Sequence, residues 1–117
     1  MSKSLEIAKP FLGQTVTVTM DRPLGTKHPR HEMVYEANYG FIEGVKAPDG
    51  EDLDAYYLGV SQPLQQASGI CIAIIHRLDN DDDKLVVVPE GVELTDEQIR
   101  AATRFQEQYF KNEIVRK

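Results

Sequence analysis

The sequence predicts a mainly β fold, in which a small barrel or rolled sheet is covered by a C-terminal helix. Short apolar or alternating segments, separated by turn-forming residues, fill most of the chain and are typical of strands. After Thr95 the apolar spacing changes to that of a helix. The 117 residues are enough for one ordinary core, so we expect a single domain over residues 1–117.

The predicted strands follow one another along the chain. Residues 14–20 alternate, with valine and methionine on one face and threonine on the other. Segment 21–32 contains two prolines and a glycine and predicts a loop, and the polar run "DNDDD" at 79–83 predicts a hairpin turn. Further strands are expected where β-branched and aromatic residues cluster, in segments 33–45, 54–60, 69–78 and 84–91.

One helix is predicted at about 95–112. Thr95 and Gln98 have the spacing of a capping box, and two acidic residues in the first turn favour the helix dipole. Apolar and aromatic side chains then recur at roughly helical spacing, at Ile99, Ala102, Phe105 and Tyr109. We expect this stripe to pack on the sheet.

Composition and charge exclude several classes of function. The net charge of −6 argues against a general nucleic-acid surface or an anionic-membrane surface. No apolar run approaches the length of a transmembrane segment. Cys71 is the only cysteine, which suits a reducing compartment, and we predict a cytoplasmic protein in which this thiol is buried rather than a nucleophile.

The densest group of carboxylates lies in "APDGEDLDAYYLG", residues 47–59. Asp49, Glu51, Asp52 and Asp54 crowd into six positions, and the first two share the parity that would place them on one side of an extended chain. Carboxylates held this close are costly without a cation, and oxygen-rich clusters suit Mg²⁺, Mn²⁺ or Ca²⁺. The alternative interpretation is a solvated acidic turn, since Pro-Asp-Gly is ordinary turn chemistry.

A second acidic group lies in "DNDDDK" at 79–84. Taken alone, it fits the charged tip of a hairpin. A hairpin there would also allow one end of the tip to lie near the first acidic group, across a small sheet. Side chains that can bind phosphate are available as well, namely Lys27, His28, Arg30, Tyr39, Lys84, Tyr109 and Lys111. The alternative interpretation is that most of them are solvated surface charges and that both tyrosines belong to the core.

Four separate segments carry a family resemblance. "NYGFIEGVKAPDGEDLD" contains an Asn-Tyr-Gly-Phe-Ile run followed by acids at 49, 51 and 54, and "VTVTMDRPLGT" contains Asp21 before a proline and a glycine. "LDNDDDKLVVVP" and "RFQEQYFKN" follow in the same order. Together these segments resemble the soluble, Mg²⁺-dependent inorganic pyrophosphatases of the OB-like β-barrel type.

The resemblance implies a small OB-like closed β-barrel covered by a C-terminal helix, and hydrolysis of inorganic pyrophosphate by metal-activated water. It implies Mg²⁺ as the cofactor, with Mn²⁺ as an alternative, and Glu51 as the general base. The implied metal ligands are Asp49, Asp54, Asp79 and Asp82. The implied substrate-binding residues are Asp21, Arg30, Tyr39, Lys84 and Tyr109. Family members assemble, so a homo-oligomer is an open expectation.

The chain also departs from the family pattern. Glu51 stands where the family has Asp, Asp52 where it has Pro, and Phe110 where it has Lys. The segment between Pro23 and Tyr39 is short for the family's hairpin. We therefore expect a compact, divergent member, and a carboxylate displaced by ~1 Å can lower activity on the order of 10²-fold. The alternative is a catalytically weakened barrel that binds a metal-nucleotide or a partner, or hydrolyses another phosphoanhydride. An oligonucleotide-binding barrel is disfavoured by the charge.

Overall fold

Five strands close into a barrel, and a sixth strand extends its sheet. The computed structural model describes residues 2–117. The strands are β1 (Thr15–Arg22), β2 (Asn38–Lys46), β3 (Asp52–Tyr57), β4 (Gln66–Arg77), β5 (Lys84–Val88) and β6 (Asn112–Val115). Their order is β1-β2-β3-β5-β4-β6, and an additional pairing of β1 with β4 closes the barrel. The predicted mainly β barrel with a C-terminal helix is confirmed.

One strand pairing decides which side chains meet. All neighbouring strands are antiparallel except β3 and β5, which run parallel with Ala55 opposite Leu85. This register places the residue before Ala55 beside the residue before Leu85. Asp54 and Lys84, which are 30 positions apart in sequence, thereby become neighbours on one face of the sheet.

Strand alternation divides the core into two layers. Side chains on the inner face of the barrel include Val18, Leu53 and Leu85, which are fully buried. The outer face of β3, β4 and β5 packs against the helix α2 (Asp96–Glu107), with Ile99 and Phe105 of the helix buried there. The strands under α2 are therefore buried on both faces, which explains the continuous apolar runs of β4 and β5.

The helix α2 begins where the capping box predicts and ends earlier than expected. Thr95 Oγ1 accepts the N–H of Gln98 at 3.1 Å, and the Thr95 N–H donates to Gln98 Oε1 at 2.8 Å. The helix ends at Glu107, not near 112. Residues 112–115 instead form β6 on the free side of β4, with Ile114 opposite Ile75. The β-branched pair Ile-Val is better suited to this edge than to a helix.

A short helix, α1 (Lys3–Ala8), followed by a 3₁₀ turn (Lys9–Phe11), was not predicted. Ser2 caps α1 by accepting the Leu5 N–H at 3.2 Å. Asp81, from the acidic turn after β4, accepts hydrogen bonds from Ser2 Oγ at 2.6 Å and the Ser4 N–H at 2.9 Å. The acidic turn is thus tied to the start of the chain. No helix within residues 2–117 is long and apolar enough to cross a membrane.

The loop between β1 and β2 is short, and its two arms lie close together. Lys27 and Val34 form an isolated antiparallel bridge, and the Tyr35 N–H donates to the Thr26 carbonyl at 2.8 Å. Strand β2 starts at Asn38, later than the predicted 33, because this loop folds back on itself first. Arg30 lies at its exposed tip.

Candidate active site

Lys84 lies at the centre of a charged cluster on the outer face of the barrel. Its ammonium nitrogen is 2.7 Å from Asp54 Oδ2 and 2.9 Å from Asp82 Oδ1. The Lys84 side chain is only 2% exposed, and an ammonium group buried to that degree needs paired charges. It also lies over the ring of Tyr39, 5.8 Å from the centroid. We call Asp54 and Asp82 the acidic pair.

The strands explain this arrangement. Asp54 lies on β3 between the buried residues Leu53 and Ala55, which face the interior, so it points to the opposite face. Lys84 opens β5, the parallel neighbour of β3, and Asp82 precedes it in the turn. The hypothesis that the turn after β4 approaches the first acidic group therefore holds for Asp82.

Arg77, the last residue of β4, was not identified from the sequence. Its Nη1 is 3.4 Å from Asp82 Oδ2. Its Nε and Nη2 bind the two oxygens of Glu107 at 3.0 and 2.8 Å. Its guanidinium carbon lies 3.7 Å from the centre of the Phe110 ring. In the sequence, the one signal for Arg77 is a basic residue at the end of an otherwise apolar strand.

A buried hydrogen-bond network connects α2 to this cluster. The Tyr56 hydroxyl donates to Glu107 Oε2 at 2.6 Å, and Gln106 Nε2 donates to the same hydroxyl at 2.6 Å. Burial and the negative charge of Glu107 raise the pKa of Tyr56 well above its usual range. Tyr56 therefore stays a neutral donor that holds Glu107 in place.

Tyr39 stands beside Lys84 in a low-polarity environment. Burial raises its pKa well above the usual range, and the negative charge of Asp54 adds to the effect. The hydroxyl is therefore a donor at neutral pH. Gly40, which follows it, has no room for a side chain, because a Cβ there would overlap with the Thr19 carbonyl on β1. The glycine lets β2 approach β1 closely and fixes the strand that carries Tyr39.

Asp21 lies near the cluster without a direct contact to Lys84. Its side chain reaches the surface, but partly desolvated surroundings raise its pKa, with a further contribution from the charge of Asp54. Arg22 opposes this shift. Asp21 is thus within electrostatic range of the acidic pair.

Asp49 and Glu51 occupy an exposed turn rather than extended chain. Asp49 Oδ1 accepts the Glu51 N–H at 2.9 Å, and Gly50 has a φ of 86°. The inference that these two carboxylates share one side of an extended chain is wrong, because β3 begins only at Asp52. Asp52 itself pairs with Lys46 at 2.7 Å, and this hydrogen bond lowers the pKa of Asp52.

The remaining predicted residues lie elsewhere. Asp79 Oδ2 accepts the Lys111 N–H at 3.1 Å, ahead of β6. Arg30 contacts His28 through its backbone N–H, which donates to His28 Nδ1 at 3.0 Å. The expectation that Tyr109 packs on the sheet with the helical stripe is wrong, because the helix ends at Glu107 and Tyr109 is 71% exposed. It lines a groove with His28. The residue after the helix that reaches the cluster is Phe110, through Arg77.

The acidic pair offers two carboxylates to a divalent cation. Within residues 2–117, no three side chains of the His, Cys, Asp or Glu type come together as a metal cage. Mg²⁺ is commonly held by one or two carboxylates, with water and substrate phosphates completing its shell. Asp54 and Asp82 are 34% and 38% exposed, so each carboxylate reaches solvent while it pairs with Lys84.

Two other polar groups have structural roles. Cys71 is fully buried, and burial raises its pKa to about 11, so its thiol is not a nucleophile at neutral pH. His76 Nδ1 lies 2.9 Å from Asp83 Oδ2, and Asp83 Oδ1 accepts the Arg77 N–H at 3.0 Å. This buried carboxylate fixes the base of the β4–β5 hairpin.

The fold and the cluster define a small OB-like β-barrel with a mixed acidic and basic site suited to phosphate ligands. A profile of the inorganic pyrophosphatase family matches residues 10–115, and the chain belongs to that family. This places it among the inorganic diphosphatases, which hydrolyse a phosphoanhydride. No curated protein sequence matches the chain.

Solved structures support the fold independently. An inorganic pyrophosphatase from Ehrlichia chaffeensis superposes with a TM-score of 0.66 at 16% identity, covering 85% of this chain and 83% of that one. One from Neisseria gonorrhoeae gives 0.65 at 22% identity, covering 83% and 74%. One from Helicobacter pylori gives 0.65 at 16% identity, covering 88% and 85%.

Proposed function

We propose that the chain hydrolyses inorganic pyrophosphate to phosphate in a Mg²⁺-dependent reaction, with Mn²⁺ as an alternative metal. The observation that carries this proposal is the position of Lys84 between Asp54 and Asp82, on a barrel of the inorganic pyrophosphatase family. A phosphate ligand needs cations, and an acidic pair beside a lysine can supply both a metal and an ammonium group.

Asp54 and Asp82 would hold the metal ion. A divalent cation there would offset the charge of the phosphates and increase the acidity of a coordinated water. Asp49 and Asp79 remain proposed as further ligands, as the resemblance implies. Each lies outside the strands and accepts one backbone N–H through one carboxylate oxygen. The metal proposal rests first on the acidic pair, because an oxygen of each of its carboxylates lies within 2.9 Å of the Lys84 ammonium.

Other residues of the chain are proposed to bind the substrate, to orient it or to accept a proton. Lys84 and Tyr39 are proposed to contact phosphate oxygens, since Tyr39 keeps its proton and Lys84 faces the acidic pair. Glu51 is proposed as the general base, and its exposed carboxylate on the turn before β3 is open to water. Asp21, Arg30 and Tyr109 remain proposed substrate-binding residues. Arg30 and Tyr109 are exposed on the loop and after the helix.

A second candidate function is binding of a metal-nucleotide by a weakened catalyst. A groove of about 860 Å³ favours it, because His28, Tyr109 and Phe110 offer aromatic surfaces there. Phe110 also stacks on Arg77, so the groove adjoins the charged cluster. Aromatic side chains are the usual partners of a nucleobase.

Phosphate release from pyrophosphate, measured with and without divalent metal, tests the first proposal. No release above buffer at any metal would exclude it. A thermal-shift series separates the two candidates. Mg²⁺-dependent stabilisation by a non-hydrolysable pyrophosphate analogue supports the first candidate, whereas stabilisation by nucleotides alone supports the second.

We also propose a cytoplasmic location, and we keep a homo-oligomeric assembly as the open expectation that the family resemblance gives. The free, buried thiol of Cys71 is compatible with a reducing compartment. Light scattering on the purified chain tests the assembly, and a monomeric mass would contradict it.

A further inference from the structure

A buried arginine joins the last helix to the acidic pair. Arg77 and Glu107 are each 5% exposed and form a two-point ion pair across the interface of β4 and α2. The ring of Phe110 supports the guanidinium plane at 3.7 Å. A planar guanidinium group that is hydrogen-bonded at two nitrogens and stacked on a ring has little freedom to rotate. The third nitrogen, Nη1, is therefore fixed in direction.

That third nitrogen points to Asp82. Nη1 lies 3.4 Å from Asp82 Oδ2, whereas Asp82 Oδ1 lies 2.9 Å from the Lys84 ammonium. The two oxygens of one carboxylate thus face two different cations. Asp82 lies in the turn before β5, whereas Asp54 lies within a strand. The backbone therefore restrains the position of Asp82 less than that of Asp54.

The charges in the cluster nearly balance without a metal. The acidic pair carries two negative charges, Lys84 offsets one, and Arg77 offsets part of the other because it is shared with Glu107. A divalent cation that binds the pair has to compete with this positive charge.

We propose that Arg77 is a positioning residue of the acidic pair. It orients Asp82 through Oδ2, and its positive charge weakens the binding of a divalent cation to the pair. This inference rests on the proposed metal-dependent function.

Counting bound Mn²⁺ by electron paramagnetic resonance, with no pyrophosphate present, tests the inference apart from turnover. Arg77→Gln removes the charge but leaves Glu107 buried without its partner, which can prevent folding. The double variant Arg77→Gln with Glu107→Gln leaves an amide pair and no orphaned charge. Arg104→Gln is the matched control, because it removes one exposed positive charge from the same helix.

The wild-type chain is expected to bind Mn²⁺. The folded Arg77 variants are expected to bind it on the order of tenfold more tightly, and Arg104→Gln is expected to match the wild type. In an Asp82→Asn background, removal of Arg77 should give no gain, because the effect passes through Asp82.

Three outcomes would overturn the inference: unchanged or weaker affinity in the double variant, the same gain in the Asp82→Asn background, or no bound Mn²⁺ in any variant. A chain that binds Mn²⁺ as expected but releases no phosphate would contradict the proposed function and leave this inference in place.

Discussion

Glu107 of the last helix holds Arg77 at the end of β4 by two hydrogen bonds, at 3.0 and 2.8 Å, and both side chains are buried. We expect Glu107→Gln to lower the free energy of unfolding by about 3–5 kcal/mol, because it leaves a buried guanidinium without its full counter-charge. Urea denaturation measures this loss.

Asp96→Asn on the same helix is the control. Its ion pair with Arg116 is solvent-exposed, so the expected loss is at most about 1 kcal/mol. Equal losses in the two variants would show that burial of the Arg77–Glu107 pair is unimportant.

Lys84→Met is expected to make the stability of the protein depend more strongly on Mg²⁺. Without the ammonium, Asp54 and Asp82 lose their shared cation, and the free energy of unfolding should fall by roughly 1–3 kcal/mol. Mg²⁺ binds the native state and should restore part of this loss. Thermal unfolding across a Mg²⁺ series measures the effect.

Lys46→Met serves as the control for Lys84→Met, since the Lys46 pair with Asp52 lies at the surface. It should show the wild-type response to Mg²⁺. If Mg²⁺ raises the melting temperature of Lys84→Met no more than that of the wild type, the acidic pair is not a cation site.

Glu51→Gln is expected to abolish phosphate release while leaving Mn²⁺ affinity largely unchanged. The amide cannot accept a proton, and Glu51 is not a member of the acidic pair. Steady-state phosphate release and Mn²⁺ titration give the two readouts. Glu43→Gln, an exposed carboxylate on β2, is the control and should remain active. Retained turnover in Glu51→Gln would remove Glu51 from the role of base.

The link between the acidic turn and α1 predicts a pH dependence. The Ser2 hydroxyl and the Ser4 N–H lower the pKa of Asp81 to about 2 from 3.8. The unfolded chain binds the proton more readily, so this contribution is present above about pH 4 and is lost as the pH falls toward about 2.

Asp81→Asn should therefore flatten the dependence of unfolding free energy on pH over that window, as measured by urea unfolding. Glu90→Gln, at the turn after β5, removes an exposed carboxylate and should keep the wild-type slope. An unchanged slope in Asp81→Asn would mean that its bonds to α1 do not persist in solution.

Much of the barrel could be predicted from local patterns. Alternation in β1 and the continuous apolar runs of β4 and β5 are direct consequences of half-buried and fully buried strands. Strand β6 could not be predicted, because four residues after a helix carry too weak a pattern and form a strand only by pairing with β4. Helix α1 depends in the same way on a distant residue, Asp81.

The site was predictable only in part, for a related reason. The meeting of Asp54 with Lys84 depends on the parallel pairing of β3 and β5, which no local pattern reveals. The family resemblance named both as site residues but did not give this pairing. The prediction that Asp49 and Glu51 point to the same side of an extended chain was wrong, because both residues lie in a turn before the strand. Arg77 was missed because its role depends on Glu107 and Phe110, which lie far away in sequence.

A Mg²⁺ titration of phosphate release from pyrophosphate, run on the wild-type chain and on Asp54→Asn, tests whether the acidic pair supports metal-dependent hydrolysis. Phosphate release is expected to appear as Mg²⁺ is added, to disappear with a chelator and to be lost in Asp54→Asn. Release that is equal with and without the chelator, or no release at any Mg²⁺ or Mn²⁺ concentration, would contradict that expectation.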